Sequence, residues 1–269
     1  MITAILDQQL AIKTSLAEGF MIVSLAANFL TMLIVASGYL LIGWFWRRRD
    51  FLAFFTGNKS LSREKNQFMI YLSGIKWQGS PCGVLSIWEL TEAHDLRELF
   101  YSLIPGPSGN AGFFRSFYLT GLDCEIKAAL TDSQPSILTH NCIIVGSPMY
   151  NDAAREFQEK LKSPVCFERH DITPGFMNYQ LCVPYEQPNN DEMRGVIVRL
   201  RHNGVNYFYA AGKTERSTAG ALYFLRCHWH DLYKTYGRHK SFFVQVQVSG
   251  PDYKTTVEVN RRELAYPGV

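Results

Sequence analysis

The chain has 269 residues, 47% hydrophobic and 19% charged, with a net charge of +3 at neutral pH. Lys13, Arg47, Arg48 and Arg49 stand against Asp7, Glu18 and Asp50, so residues 1–50 carry +1 and the remainder +2. That balance is too weak for bulk nucleic-acid binding, and no nucleic-acid partner is expected.

In chain order, residues 1–18 read as a short extracytoplasmic tail. The segment from Gly19 to Trp46 contains no Asp, Glu, Lys, Arg or His. A hydrocarbon core of about 30 Å needs roughly 20 helical residues, so this run predicts a single transmembrane helix embedded in a lipid bilayer. Tyr39, Trp44 and Trp46 gather near its end, where amphipathic rings favour the headgroup level, and Arg47, Arg48 and Arg49 follow. A cleaved signal peptide has a shorter apolar region behind a positive flank, whereas here Asp7, Lys13 and Glu18 leave no net positive charge upstream. The Arg47–Arg49 run, with Lys59, Arg63 and Lys65 beyond it, puts the C-terminal domain in the cytoplasm of a single-pass cell-membrane protein. Inside the span, Ser24, Asn28 and Thr31 are polar, and Ala27 with Thr31 gives a small-xxx-small spacing that supports homo-oligomerisation through the helix.

Residues 47–66 read as a juxtamembrane linker whose aromatic start, Phe51 to Phe55, forms an interfacial collar. From Gln67 to Val269 a cytoplasmic α/β domain follows. Phe68–Leu72 predicts a buried strand closed by Ser73-Gly74. Ser86 to Leu103 predicts an amphipathic helix, with Leu96, Leu99, Phe100 and Leu103 on one side and His94, Asp95, Arg97 and Glu98 on the other. Arg115–Leu119 reads as a strand and Cys124–Leu130 as a short helix. Cys142–Val145 is a buried strand, and Asn151 opens a helix to Leu161. Strands follow at Val165–Glu168, Tyr179–Val183, Gly195–Leu200 and Val205–Ala211, the last two joined by an Asn203-Gly204 hairpin turn. A helix over Thr218–Thr235 and strands at Ser241–Val248 and Thr255–Val259 complete the pattern. The alternation predicts a Rossmann-like, three-layer α/β domain, and the hairpin makes its sheet mixed.

Six cysteines occur without CxxC or Cys/His metal spacing. They read as reduced thiols of a cytoplasmic domain, and no metal site is expected. In His228-Trp229-His230 the two imidazoles diverge on a helix, so Trp229 is expected to face the core.

Two strand-to-helix junctions are the candidate ligand sites. In the first, Gly146, Ser147 and Asn151 follow a buried strand. In the second, Gly212, Lys213, Ser217 and Thr218 do, with Ser217 or Thr218 expected to cap the helix. Ligands of open α/β sheets sit beyond the carboxyl ends of the strands, where glycine admits close backbone approach and exposed N–H groups favour anions. Tyr207 stands where a P-loop needs glycine before Gly212-Lys213-Thr214, and neither GxGxxG nor GxSxG is present. Glu89, Glu92 and Glu215 are the carboxylates to consider for catalysis. Helical spacing aligns Glu89 and Glu92 with Leu96 and Leu99, although early-turn carboxylates are ordinarily solvated and favoured by the helix dipole.

A membrane helix followed by a domain carrying Ile143-Ile-Val-Gly-Ser-Pro-Met-Tyr-Asn151 and Gly212-Lys-Thr-Glu-Arg-Ser-Thr-Ala-Gly-Ala221 resembles membrane-tethered effectors of bacterial nucleotide-signalling and defence systems. Their SLOG, CARF or TIR-like domains bind nucleotide-derived ligands. The resemblance implies that Gly146, Ser147, Asn151, Gly212 and Thr218 line a ligand site. It carries no resident cofactor and assigns no TIR-type catalytic glutamate. The expected function is a sensor–effector for a nucleotide-like ligand. The alternatives are a membrane-anchored enzyme cleaving a nucleotide or N-glycosidic bond, and an interaction module without a small ligand.

Overall fold

In the computed structural model, the apolar segment belongs to one helix, α1 (Ile2–Thr56). The structure describes residues 2–57, 67–74, 86–103, 123–128, 139–148, 150–163, 166–173, 176–182 and 193–265. The expected strand at Arg115–Leu119 lies outside them. The chain divides into two units, Met1–Arg47 and Arg48–Val269.

In the first unit, α1 is long and apolar enough to cross a membrane. Phe20, Ile22, Phe29, Ile34 and Leu40 are all exposed along it. Thr31 donates to the Ala27 carbonyl at 2.8 Å, so its hydroxyl is satisfied within its own helix.

The second unit is built on a seven-stranded mixed sheet ordered β2-β1-β3-β7-β6-β8-β9. Its strands are β1 (Gln67–Leu72), β2 (Asp123–Ala128), β3 (Asn141–Val145), β6 (Arg194–His202), β7 (Val205–Gly212), β8 (Ser241–Val248) and β9 (Thr256–Leu264). β2, β1, β3 and β7 run parallel, whereas β7, β6, β8 and β9 alternate in direction. Between β3 and β6, strands β4 (Cys166–Thr173) and β5 (Phe176–Cys182) form a separate two-stranded sheet.

Period-two alternation splits the side chains between two apolar faces. Phe68, Ile70, Ile143, Val145 and Phe208 join one cluster with helices α2 (Ile87–Leu103) and α4 (Glu215–Tyr236). Met69, Tyr71, Ile144 and Tyr209 join the other with α3 (Asp152–Leu161). Burial on both faces explains why β1 and β3 are continuous apolar runs. Trp229 is buried, as its place between two diverging histidines predicts. The β6–β7 hairpin turns at Asn203 (φ 51°) and Gly204 (φ 80°), both left-handed, as the Asn-Gly pair requires.

Two expectations fail here for instructive reasons. The segment read as a short helix from Cys124 is β2, paired in parallel with β1 from Gln67↔Asp123 to Leu72↔Ala128. The ladder supplies backbone partners that outweigh the local helical preference of Glu-Ile-Lys-Ala. The aromatic segment read as an interfacial collar is the end of α1, and Phe51, Phe54 and Phe55 are fully buried in the second unit's core. Phe51 meets Trp229 edge-on at 4.9 Å, Phe54 meets Phe208 at 5.2 Å and Phe55 meets Phe100 at 4.9 Å. Gly57, at φ 73°, then closes the helix through its N–H to the Ala53 carbonyl.

A helix end placed in a core leaves carbonyls without partners. The Phe54 carbonyl accepts from Asn206 Nδ2 at 3.0 Å and from Arg199 at 3.5 Å. The Arg199 guanidinium lies 5.0 Å from the Phe54 ring and 4.7 Å from that of Phe242, and it also donates to the Gly237 and Lys240 carbonyls. Burial, with Arg201 nearby, pushes its pKa down to about 9, so it remains charged at neutral pH and complements the negative end of the helix dipole.

Candidate functional site

The first junction lies where β3 ends. Asn151 is fully buried, and its Oδ1 accepts from the Ala154 N–H at 3.2 Å, capping α3. Its Nδ2 donates to the Tyr71 carbonyl at 3.1 Å and to the Val145 carbonyl at 2.7 Å. Asn151 therefore joins the carboxyl ends of β1 and β3, and its amide is occupied within the protein. Gly146 adopts φ 95°, and a Cβ there would collide with Ser73 Oγ, which itself donates to the Val145 carbonyl at 3.1 Å. Gly146→Ala is expected to cost about 2 kcal/mol from left-handed strain and this collision. Urea denaturation measures it, and an unchanged midpoint would remove the requirement for glycine.

The second junction is organised for packing. Thr214, not Ser217 or Thr218, caps α4: it accepts from the Ser217 N–H at 3.2 Å while the Ser217 hydroxyl accepts from the Thr214 N–H at 3.0 Å. The helix accordingly begins at Glu215, three residues before the expected Thr218. Thr218 donates to the Thr214 carbonyl at 3.0 Å. A Cβ on Gly212 would stand 2.7 Å from the Ser217 carbonyl carbon, so glycine here admits the first turn of α4. Lys213 and Ser147 are half-buried beside these turns.

What joins the junctions is Glu89. It lies in the first turn of α2, yet it is only 5% exposed, which corrects its reading as a solvated carboxylate. Its Oε2 is 3.8 Å from where a Gly146 Cβ would be. Burial pushes its pKa up to about 8, the neighbouring Glu215 carboxylate pushes the same way, and a hydrogen bond with Ser73 opposes both. Ser73 is the site residue that the sequence expectations omit, although Ser73-Gly74 after β1 has the same strand-end chemistry as Gly146-Ser147. Beside Glu89, the half-exposed Trp88 lies under the Arg216 guanidinium at 5.4 Å. Tyr150, also exposed, accepts through its carbonyl from the Gly74 N–H at 2.8 Å.

The raised pKa has a definite consequence for stability. A carboxyl with its folded pKa above its unfolded one stabilises the fold fully below the unfolded value, 4.5, and loses that contribution as pH rises through about 8. Glu89→Gln should therefore match the parent near pH ~4 and exceed it by about 2–4 kcal/mol near pH ~9. Urea midpoints at the two pH values test this, and a pH-independent difference would return the carboxyl to water.

Glu92 serves a different purpose. It is fully buried, again against the expectation of a solvated early-turn carboxylate. Arg226 grips it through Nε at 2.9 Å and a terminal nitrogen at 3.3 Å, and the Tyr253 hydroxyl donates to it at 2.9 Å. This network ties α2 to α4 and to the turn before β9, and it commits Glu92 to structure. Among the described residues, no group of three His, Cys, Asp or Glu side chains is placed to hold a metal ion.

No protein-family model, curated protein or solved structure matches this chain.

Proposed function

We propose that this chain is a single-pass membrane protein whose α/β domain, on the arginine-flanked cytoplasmic side, binds a nucleotide-like ligand at the carboxyl ends of β1, β3 and β7. The observation that carries this reading is the buried Glu89 carboxyl held against Ser73 and Gly146 at that edge. The parallel order β2-β1-β3-β7 supports a Rossmann-like assignment, because β1 connects through α2 to one side while β3 lies on the other. Ligands of such sheets occupy that switch point, and an acidic side chain there accepts from ribose hydroxyls. Trp88 and Tyr150 offer rings on which a base stacks. The domain core that presents Glu89 also contains the end of α1, which suits a sensor whose ligand alters helix packing or association through Ala27 and Thr31.

Calorimetry on the full-length chain in detergent, against a panel of mono-, di- and cyclic nucleotides, tests the reading. Micromolar binding is expected, weakened at least about tenfold by Glu89→Gln. Binding to none of the panel overturns it.

One observation favours a second reading. With its pKa near 8, Glu89 is protonated at neutral pH and has a second carboxylate, Glu215, close by. That pairing suits general acid chemistry on an N-glycosidic bond. Turnover of a dinucleotide or nucleoside that Glu89→Gln abolishes while binding persists would establish the enzyme in place of the sensor.

A further inference from the structure

We propose that β9 is an assembly edge, on which a second copy of this chain lays its own β9 antiparallel and joins the two sheets into one. β9 ends the strand order, is nine residues long, and among the described residues pairs with β8 alone. Two backbone hydrogen bonds fix which of its groups face outward. The Val248 N–H donates to the Met193 carbonyl at 3.0 Å, on the β6 side, whereas the Ser249 N–H donates to the Thr255 carbonyl at 3.2 Å, on the β9 side. Alternation along β8 turns Val246, Val244 and Phe242 toward β6 as well. The residues that oppose Val248, Val246, Val244 and Phe242 are Thr256, Glu258, Arg261 and Glu263. Their N–H and C=O groups therefore point away from β8, into the open edge.

A bulge gives this edge its pattern. Glu258 opposes Val246 and Asn260 opposes Gln245, so Val259 is one residue extra. The extra residue puts Glu258 and Arg261 on one face, where Arg261 Nε donates to the Glu258 carboxylate at 2.5 Å. A two-fold axis between Val259 and Asn260 sets Glu258 opposite Arg261 of the second copy, and Thr256 opposite Glu263 of the second copy, each pair occurring twice. All four pairs join outward-facing residues, so they exchange about eight ladder hydrogen bonds. Each Glu258 and each Arg261 meets its opposite charge. Sliding the strands to the next register sets Glu258 against its own image, or sets Glu258 against Glu263 and Arg261 against its own image. Like charges directly opposed disfavour both. Charges and bulges ordinarily blunt a sheet edge. Here they match their own two-fold images, and Val257 and Val259, 52% and 44% exposed, gain cover from the incoming strand.

This pattern makes charge reversal diagnostic. Glu258→Arg sets like charges against each other at both ionic contacts of its homodimer, and Arg261→Glu does the same with the other sign. Mixing the two variants restores opposite charges at both contacts. The ion pair within each chain stays broken in the mixture, so recovery on mixing reads the contact between copies alone. Association through the Ala27 and Thr31 spacing of α1 is indifferent to these changes.

The test is light scattering on the full-length chain in detergent, corrected for bound detergent, at micromolar concentration. The expected protein mass for the parent is twice 30.7 kDa. Each single variant should dimerise at least about tenfold more weakly, and their equimolar mixture should regain the parent's dimer. Hydrogen exchange on the parent gives a reading that needs no variant. The amides of Glu258 and Arg261 should exchange more slowly as protein concentration rises, because only the second copy supplies their acceptors. A parent that keeps the mass of one chain, or amides indifferent to concentration, overturns the proposal. So does a mixture of folded variants that stays monomeric. A dimer that both variants retain also overturns it and moves the association to another surface, α1 included.

Discussion

A chain that begins at Arg48 should fold cooperatively, whereas one that begins at Gln67, the first residue of β1, should not. The difference is the last turns of α1. Phe51, Phe54 and Phe55 are each fully buried, and they pack on Phe100, Phe208, Trp229 and Phe242 from α2, β7, α4 and β8. Truncating one buried Phe to Ala costs about 3–5 kcal/mol through lost transfer energy and the cavity left behind. Removing all three, about 9–15 kcal/mol if the losses add, is comparable with the whole of the roughly 5–15 kcal/mol that holds a typical domain together. The shorter chain also leaves Arg199 and Asn206 facing the place of the Phe54 carbonyl with no acceptor there, a buried charge without one of its partners. Circular dichroism and thermal melting of the two truncated chains decide the matter. A sharp melt from the chain starting at Gln67 would return residues 51–56 to the role of a linker. Within the full chain, Phe54→Ala alone should lower stability by about 3–5 kcal/mol.

Glu92→Leu should cost about 3 kcal/mol. The substitution removes a fully buried carboxylate and leaves the Arg226 guanidinium and the Tyr253 hydroxyl without their common acceptor. Breaking a buried pair from one side is typically worth about 3–5 kcal/mol. The lower figure applies because the Arg226 side chain is 22% exposed and keeps a contact to Asp95 at 3.3 Å. Replacing both members, as in Glu92→Leu with Arg226→Met, should recover much of the loss, because the apolar pair leaves no uncompensated charge. Urea denaturation of the two single variants and the double variant forms a thermodynamic cycle. A single-variant loss below about 0.5 kcal/mol, the usual size of a surface change, would mean that Glu92 is solvated after all.

These two cases mark where reading the residues alone stops. Glu92 looks like an early-turn carboxylate because its neighbours in sequence are those of a helix start. Its partners, Arg226 and Tyr253, lie 134 and 161 positions away. Phe51 to Phe55 look like a membrane collar because they follow an apolar span and a triple arginine. Their burial depends on strands and helices that extend from Phe68 of β1 to Phe242 of β8. The candidate site divides in the same way. Gly146, Asn151 and Gly212 were recognisable from strand-to-helix grammar. Asn151 and Gly212 prove to be structural, occupied in capping and close packing, whereas Gly146 lies beside the carboxyl that joins the junctions.

The residues by themselves determined the long uncharged helix, the amphipathic α2, the α3 cap at Asn151, the β6–β7 turn and the mixed character of the sheet. Each depends on contacts a few residues apart, through helical periodicity, side-chain capping, or a left-handed turn that Asn-Gly tolerates. Only the tertiary structure decided that Cys124 begins a ladder rather than a helix, that the end of α1 is core, and that Glu89 and Glu92 leave water. Those outcomes turn on which distant surface supplies hydrogen bonds and excludes solvent, an energy that belongs to the pair of surfaces and is written in neither segment alone.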